Sequence, residues 1–411
     1  MQKRERRRVV LGIRETRVGY ALDADVVRAA IVSIIATTVG LTGRECDAID
    51  DATPIDDGPL GIDSLDLINI TRAVGIFFDL YASGSEEVLL QRRTIGGWVH
   101  TVLEAASETT PTLTFRTSGS TGEPVDCRHA MASLAAEVEV LAELFDDRSR
   151  VVGIVPRHHI YGFLFTALLP QRLGRPFTDL RGASIGEIHR SLRAGDLFIG
   201  FPLRLDELAE SRVRFPGDVV CVTSTGPCRK ETIAALSACG IAKTFEIYGS
   251  SQTAGVAWRT DPDAPYRLFP YWSLDSSGLR LSRDAAQSPD GTQESFALPD
   301  RLAWRGDGFD VVGRHDGAVS VGGINVFPTR IAETIRAHPD VVDCSVRPMR
   351  LDEGTRLKAF VVLRSDIADD DVSREALRRW IHDTLPVAAR PKPITFGPTL
   401  PRDAQGKTTD W

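Results

Sequence analysis

A chain of 411 residues with 42% hydrophobic and 26% charged side chains has an ordinary globular composition, able to bury a sizeable core and long enough for two or three units. Its net charge of −7 argues against a general nucleic-acid surface, and no window approaches the roughly eighteen uninterrupted apolar residues of a membrane span. Cys46, Cys127, Cys221, Cys228, Cys239 and Cys344 lack metal-ligand spacing and no secretory leader is visible, so a reducing cytoplasm is the expected location.

Residues 1–24 carry the basic run Lys3-Arg4-Glu5-Arg6-Arg7-Arg8 and read as a solvated, disordered tail. Residues 25–108 read as a small all-helical unit. Val26, Val27, Ala30, Ile31, Ile34 and Ile35 recur at helical spacing, and an Asp-, Pro- and Gly-rich loop runs from Asp47 to Pro59. A second helix is expected to start near Ser64. Ile95, Trp98, Val99, Val102 and Leu103 mark a last amphipathic helix, with Thr94 placed to cap it. Leu60-Gly61-Ile62-Asp63-Ser64-Leu65-Asp66-Leu67 resembles the attachment site of acyl carrier proteins, which implies 4'-phosphopantetheine on Ser64, installed by a phosphopantetheinyl transferase. The plain alternative is that Ser64 only caps a helix.

Arg116-Thr117-Ser118-Gly119-Ser120-Thr121-Gly122-Glu123-Pro124 packs small and hydroxylated residues densely enough to wrap backbone N–H groups round a phosphate chain. No lysine follows Gly122, which removes the P-loop class; a Ser/Gly turn is the bland alternative. Apolar runs such as Val151 to Val155 and Val219 to Val222, between turn signals, predict buried strands of an α/β domain over 109–313. Pro156-Arg157-His158-His159-Ile160-Tyr161-Gly162 follows the first of them. Adjacent histidines in an extended segment point to opposite sides and no Cys or Glu lies at ligand spacing, so zinc is not expected. Phe163 and Phe165 could extend a pocket or be plain core. Then come Thr223-Ser224-Thr225-Gly226-Pro227, Tyr248-Gly249-Ser250-Ser251-Gln252-Thr253-Ala254-Gly255 and Gly313-Arg314-His315-Asp316. Leu400-Pro401-Arg402-Asp403-Ala404-Gln405-Gly406-Lys407 closes the series, in a C-terminal unit (314–411) that mixes strands and helices.

In this order these motifs resemble the adenylate-forming superfamily of acyl- and aryl-CoA ligases, luciferases and peptide-synthetase adenylation domains. Glu246-Ile-Tyr-Gly-Ser-Ser and Ala257-Trp258-Arg259 are most similar to its short aryl polyene-type ligases. The resemblance implies a multi-domain chain: an all-α carrier bundle, an α/β layered adenylation core with a shortened N-terminal part, and a small α+β lid. It implies ATP, Mg²⁺ and a small aromatic or unsaturated carboxylic acid as ligands. Thr117, Ser118, Gly119, Ser120, Thr121 and Gly122 would hold phosphates. Thr225, Gly226 and Pro227 would face adenine, with Tyr248 stacked on it beside Gly249. Ser251 would touch the α-phosphate or carboxylate. Lys407 would bridge the two, Arg314 would contact ribose or phosphate, and Asp316 would be the hinge of the lid. Gly322 and Gly323 would let a pantetheine arm pass. His159 would gate the acyl pocket, with Tyr161 and Gly162 along its wall. Asp300 is the choice for the ribose, on spacing, over Asp307 of Arg305-Gly306-Asp307.

Three positions and one spacing depart from the pattern. Gln252 stands where relatives carry a Mg²⁺-holding glutamate, which keeps an oxygen and loses a charge. Val125 replaces a frequent lysine, and Arg330 stands where an acid usually follows Pro328. The phosphate loop starts within a dozen residues of the helical unit, leaving room for a partner subunit that completes the fold. The expected activity is ATP-dependent activation of an acid as acyl-AMP and transfer to the chain's own carrier arm, for downstream synthase partners. The alternatives are a nucleotide- or acyl-binding scaffold presenting a carrier, and a free acyl-CoA ligase.

Overall fold

The computed structural model describes residues 22–411 except 57, 83, 109–110, 119–123, 276–279, 284–294, 299, 323, 351–352, 355, 368–369, 403–408 and 410. The basic run at Lys3 to Arg8 lies outside the described residues. Among these residues no helix is long and apolar enough to cross a membrane.

The chain opens with α1 (Ala24–Val39), capped by Asp23 accepting from the Val26 N–H at 2.8 Å and closed by Gly40 at φ 78. Its buried residues, Val26, Val27 and Ala29 through Ala36, run round the whole helix, and a helix apolar on all sides must be enclosed. The short α2 (Gly43–Cys46), then α3 (Ser64–Phe77), α4 (Glu86–Gln91) and α5 (Ile95–Glu108) follow. These helices are not a freestanding carrier bundle. They share one apolar core with the α/β part that runs from Leu22 to Phe309. Phe77 of α3 packs edge-on against Phe115 (5.2 Å between ring centroids) and Phe163 (5.7 Å). The Gly43 N–H donates to the Arg181 carbonyl at 2.8 Å, and Gln171 reaches Asp23. The helical segment is packed as part of the body of the α/β unit.

The hairpin β1 (Thr112–Ser118) and β2 (Pro124–Ala130) leads into α6 (Met131–Leu144). Next come β3 (Arg150–Gly153), the short α7 (Ile160–Gly162), a π-helical turn over Phe163–Leu168, α8 (Leu169–Leu173), β4 (Phe177–Asp179), α9 (Ile185–Ser191) and β5 (Asp196–Gly200). The core continues with α10 (Pro202–Glu210), β6 (Val219–Thr223), α11 (Lys230–Ala238), β7 (Ile241–Ser250), β8 (Ala254–Arg259) and β9 (Arg267–Leu268). The strands form a seven-stranded sheet in the order β4-β3-β5-β6-β7-β8-β9, parallel from β4 to β7. β5 and β6 are buried along their whole length, as strands covered on both faces must be.

Beyond β10 (Trp272–Leu274), β11 (Arg280–Arg283) and β12 (Ser295–Ala297), the hairpin β13 (Asp300–Arg305) and β14 (Gly308–Arg314) leads to the C-terminal unit. That unit holds the hairpin β15 (Val319–Val321) and β16 (Ile324–Val326), α12 (Pro328–Arg336), β17 (Val341–Pro348), β18 (Leu357–Leu363), α13 (Asp371–Thr384) and β19 (Ile394–Phe396). It has its own core. Leu357, Ala359 and Val361 of β18 face the helices, and the alternate residues Phe360 and Val362 face Leu400 and Trp411 across the sheet.

Gly162, the residue just before the π-turn, is closely approached: a Cβ there would sit well inside van der Waals range of the Pro156 carbonyl oxygen, which is backbone and has nowhere to go. Gly162→Ala is expected to cost about 2–3 kcal/mol, read as a lowered urea midpoint; an unchanged midpoint would refute this packing.

Candidate active site

The loops at the C-terminal ends of β6 and β7 carry the residues expected to face a nucleotide, as open parallel sheets favour. After β6 the chain turns through Thr225, held at φ 76, and the Ser224 hydroxyl donates to the Ile247 carbonyl at 2.9 Å. One residue on, Tyr248 packs against Phe309 (5.5 Å) and Tyr266 (5.8 Å), and its hydroxyl donates to Asp300 Oδ2 at 2.7 Å. Burial, with the Asp300 carboxylate beside it, pushes the Tyr248 phenol well above its ordinary range, so it stays a neutral donor. Asp300 lies opposite Arg314 in the β13–β14 ladder, and Arg314 forks onto Asp316 at 2.9 and 2.7 Å. That fork holds the Asp316 carboxyl below its usual range. Asp307 lies at the far turn of the same hairpin, next to Arg305, which pairs with Asp310 at 3.2 Å.

Thr117 and Ser118 end β1 opposite Val125 and Pro124 of β2; Gly119, Ser120, Thr121 and Gly122 lie outside the described residues. The hairpin is tied to the turn that carries Ser251 and Gln252. Burial brings His129 of β2 down to about 4, so its imidazole is neutral, and Nε2 donates to the Ser251 carbonyl at 2.6 Å. Within the turn the Ser250 and Thr253 hydroxyls are 2.9 Å apart, and Gly249 has no room for a Cβ against the Ala254 carbonyl. Beneath it Glu137 of α6, fully buried, accepts from the Gly255 N–H at 2.9 Å, and Arg283 donates to the Thr253 carbonyl at 2.9 Å. Gln252 is left exposed at the apex. Among the described residues no cluster of three His, Cys, Asp or Glu could hold a metal ion. A Mg²⁺ carried in on a triphosphate needs only one or two protein oxygens, and the Gln252 amide oxygen fits that lesser demand.

His129, Glu137 and Arg283 were not singled out from the sequence. The signal existed for Glu137: it stands on the apolar face of α6 beside Leu134, Val138 and Leu141, where a carboxylate needs a partner.

The acyl-pocket motif divides. His159 is exposed at the start of α7. Tyr161 is buried, its hydroxyl 3.0 Å from both the Gly200 and Val222 carbonyl oxygens, which ties it to the ends of β5 and β6. Phe163 and Phe165 are core as well. At Ser64, the first residue of α3, Asp63 is the cap, accepting from the Leu65 and Asp66 N–H groups at 2.8 Å, so Ser64 marks the start of a capped helix that packs into the shared core.

The lid hairpin β15–β16 is docked on the adenine-side loop. Ser320 Oγ donates to the Thr225 carbonyl at 3.0 Å, and a Cβ on Gly226 would come within 3.0 Å of the same hydroxyl. Gly322, at φ 60, lies near Leu203 of α10; Gly323 lies outside the described residues. Val321 and Val326 of the hairpin share the lid's helical core, whereas Leu400 and Trp411, on either side of the Lys407 segment, pack on the opposite face of β18. Lys407 itself lies outside the described residues.

A family model described as the AMP-binding enzyme C-terminal domain matches residues 330–407. A 4-coumarate–CoA ligase from Halorhodospira halophila is 35% identical over 383 residues, 92% of this chain and 96% of that protein. One from Cereibacter sphaeroides is 37% identical over 373 residues, 87% and 85% of the two chains. The amide bond synthetase McbA from Marinactinospora thermotolerans shares the fold with a TM-score of 0.57 across 93% of this chain and 92% of its own, at 19% identity. The o-succinylbenzoate CoA synthetase of Bacillus subtilis does so at 0.55, across 72% and 67%, at 18% identity. Fold and site define an adenylate-forming enzyme. The chain belongs to the AMP-binding, acyl-CoA ligase-like superfamily and is an AMP-forming acid–thiol ligase. Residues 109–411 alone cannot account for a match over 92% of the chain, so the likeness to these ligases reaches into the N-terminal helices.

Two outcomes follow from the geometry. Ser320→Ala is expected to slow thioester formation from preformed acyl adenylate about fivefold, the worth of one hydrogen bond, with adenylation within about twofold; equal slowing of both would show that the contact does not latch the lid. Burial raises the Glu137 carboxyl to about 7 from its ordinary 4.5. The folded form then keeps a proton that the unfolded chain releases, so stability falls as pH rises through that window and levels off above it. Urea midpoints against pH should show this decline in the native protein and lose it in Glu137→Gln.

Proposed function

We propose that this protein is a free acyl-CoA ligase that activates a hydroxycinnamate-type aromatic acid with ATP and transfers it to the thiol of CoA. The observation that carries this reading is the match to 4-coumarate–CoA ligases at 35–37% identity over 92% and 87% of the chain, too much for the α/β core and C-terminal unit alone. The union of those helices with the α/β core supports it further, because it leaves no separate carrier to accept the acyl group.

The chemistry follows from the leaving group. A carboxylate would have to expel oxide, whereas a mixed anhydride with AMP expels a stabilised phosphate, so the protein must first bring carboxylate and α-phosphate together and then admit a thiol. Thr117 to Gly122 would hold the outer phosphates, and Thr225, Gly226, Pro227 and Tyr248 would enclose adenine. Asp300, already fixed by Tyr248, would take the ribose hydroxyls, and Arg314 would turn from Asp316 to ribose or phosphate. Ser251 and Lys407 would meet the two reacting groups, with His159 at the acid's carboxylate and Gln252 offering an oxygen to the ATP-borne Mg²⁺. The metal supplies charge neutralisation at the phosphates. Asp316 would be the pivot between the two half-reactions.

The test is product mass after incubation with ATP, Mg²⁺, CoA and an equimolar panel of 4-coumaric, cinnamic, benzoic and octanoic acids. The expected result is AMP and a hydroxycinnamoyl-CoA as the leading thioester, unchanged in Ser64→Ala, with no acyl group on the protein. Lys407→Ala should lower adenylation by about 10²- to 10³-fold and spare thioester formation from preformed adenylate. Octanoyl-CoA as the leading product would refute the acid class. Acylation only of a protein pretreated with a phosphopantetheinyl transferase, lost in Ser64→Ala, would refute the free ligase.

A further inference from the structure

Ser33 belongs to the N-terminal helix α1 yet has its hydroxyl among residues of the acyl-pocket loop. It is fully buried. Three polar groups converge on its Oγ: the Arg157 backbone N–H at 2.8 Å, Arg181 Nη1 at 3.2 Å and His158 Nδ1 at 2.9 Å. The first two are obligate donors and fill both lone pairs of the hydroxyl. Its one proton must then go to the acceptor that remains, His158 Nδ1, which places the His158 ring proton on Nε2. A ring carrying its proton on Nδ1 would send three donors to two lone pairs and leave the buried O–H without a partner.

The partners are themselves fixed. Arg181 is paired with Asp179 at the end of β4 at 2.7 Å, and the Arg157 guanidinium lies 4.4 Å from the ring centroid of Phe177 on the same strand. His158 meets the ring of His159 edge-on at 4.7 Å. Within the loop the backbone is braced by the His159 N–H on the Pro156 carbonyl at 3.2 Å and the Phe163 N–H on the His159 carbonyl at 2.6 Å. Ser33 is the point at which that loop is joined to α1 and β4 together.

We infer that Ser33 is a positioning residue for acid recognition: its hydroxyl, through Arg157 and His158, sets the loop that presents His159 to the acid. This rests on the ligase reading, which puts His159 at the carboxylate. The consequence is directional, because the adenine-side loop and Tyr248 lie on β6 and β7 and make no bond to Ser33. Loss of the hydroxyl should loosen the acid site and leave the nucleotide site alone.

The experiment is equilibrium dialysis of the full-length protein with 4-coumarate and, separately, with ATP and Mg²⁺. Ser33→Ala is expected to weaken 4-coumarate binding about five- to tenfold, with ATP binding unchanged. Ser33→Thr, which keeps the hydroxyl, should restore acid binding. His158→Asn, whose amide oxygen can stand in for Nδ1, should bind near the native level, and His158→Gln should behave like Ser33→Ala. Normal acid binding in Ser33→Ala, or equal weakening for acid and ATP, would overturn the inference. A native protein that binds ATP and no aromatic acid would overturn the ligase reading and this inference with it. The ¹⁵N spectrum of the histidines checks the bond without any ligand: His158 should carry its proton on Nε2 at neutral pH, and a proton on Nδ1 would overturn the assignment.

Discussion

A helix that is apolar on every side cannot remain at a surface, and α1 is such a helix. Each fully buried Val or Ile of the kind found at Val27, Ile31 and Ile35 contributes roughly 1.5–3 kcal/mol, and α1 obtains that burial only by sitting between α3, α5 and the π-turn of the α/β part. Much else follows from this one enclosure. It draws the N-terminal helices into the α/β body and brings Ser33 to the loop after β3. The aromatic contacts of Phe77, Phe115 and Phe163 continue the same core to the hairpin that bears the phosphate loop.

The nucleotide side rests on polar groups kept neutral or paired by burial. Burial keeps the His129 imidazole neutral, and its Nε2–H donates to the Ser251 carbonyl. Glu137 and Arg283 support the same turn from below, and Tyr248 holds Asp300 from within an aromatic cluster. His129, Glu137 and Arg283 lie outside the recognisable motifs, so the residues expected to meet substrate take much of their rigidity from elsewhere in the chain. A site prepared in this way needs little reorganisation when charge develops.

The lid adds the element of timing. β18 alternates its side chains so that one face carries the helical core shared with the glycine hairpin and the other carries Leu400 and Trp411, which flank the lysine segment. Arg314, bonded to Asp316, stands where the chain enters this unit. The contact between Ser320 and Thr225 marks the hairpin face as the one now docked.

By itself the sequence determined the class of chemistry. Short motifs with fixed spacing, from Thr117-Ser118-Gly119 through Tyr248-Gly249 to Leu400-Pro401-Arg402, are legible because backbone geometry and phosphate chemistry demand those residue types at those places. The α/β core and the α+β lid were legible for a similar local reason: buried strands such as Val219 to Val222 and amphipathic helices such as α13 declare their periodicity. What only the tertiary structure decided was which core the helices join and which side chains meet across the chain. Leu-Gly-Ile-Asp-Ser-Leu describes a capped helix start equally well on a carrier or on a ligase body, and only the packing of α1 and α3 against the sheet tells them apart. The all-round apolar pattern of α1 was the available warning. Tyr161 shows the same limit, since a tyrosine in a pocket motif and a tyrosine bridging two strand carbonyls look alike in one dimension. Contacts such as Ser33 with His158 or Glu137 with Gly255 join residues more than a hundred positions apart, and no local rule encodes them because they exist only once the common core has formed.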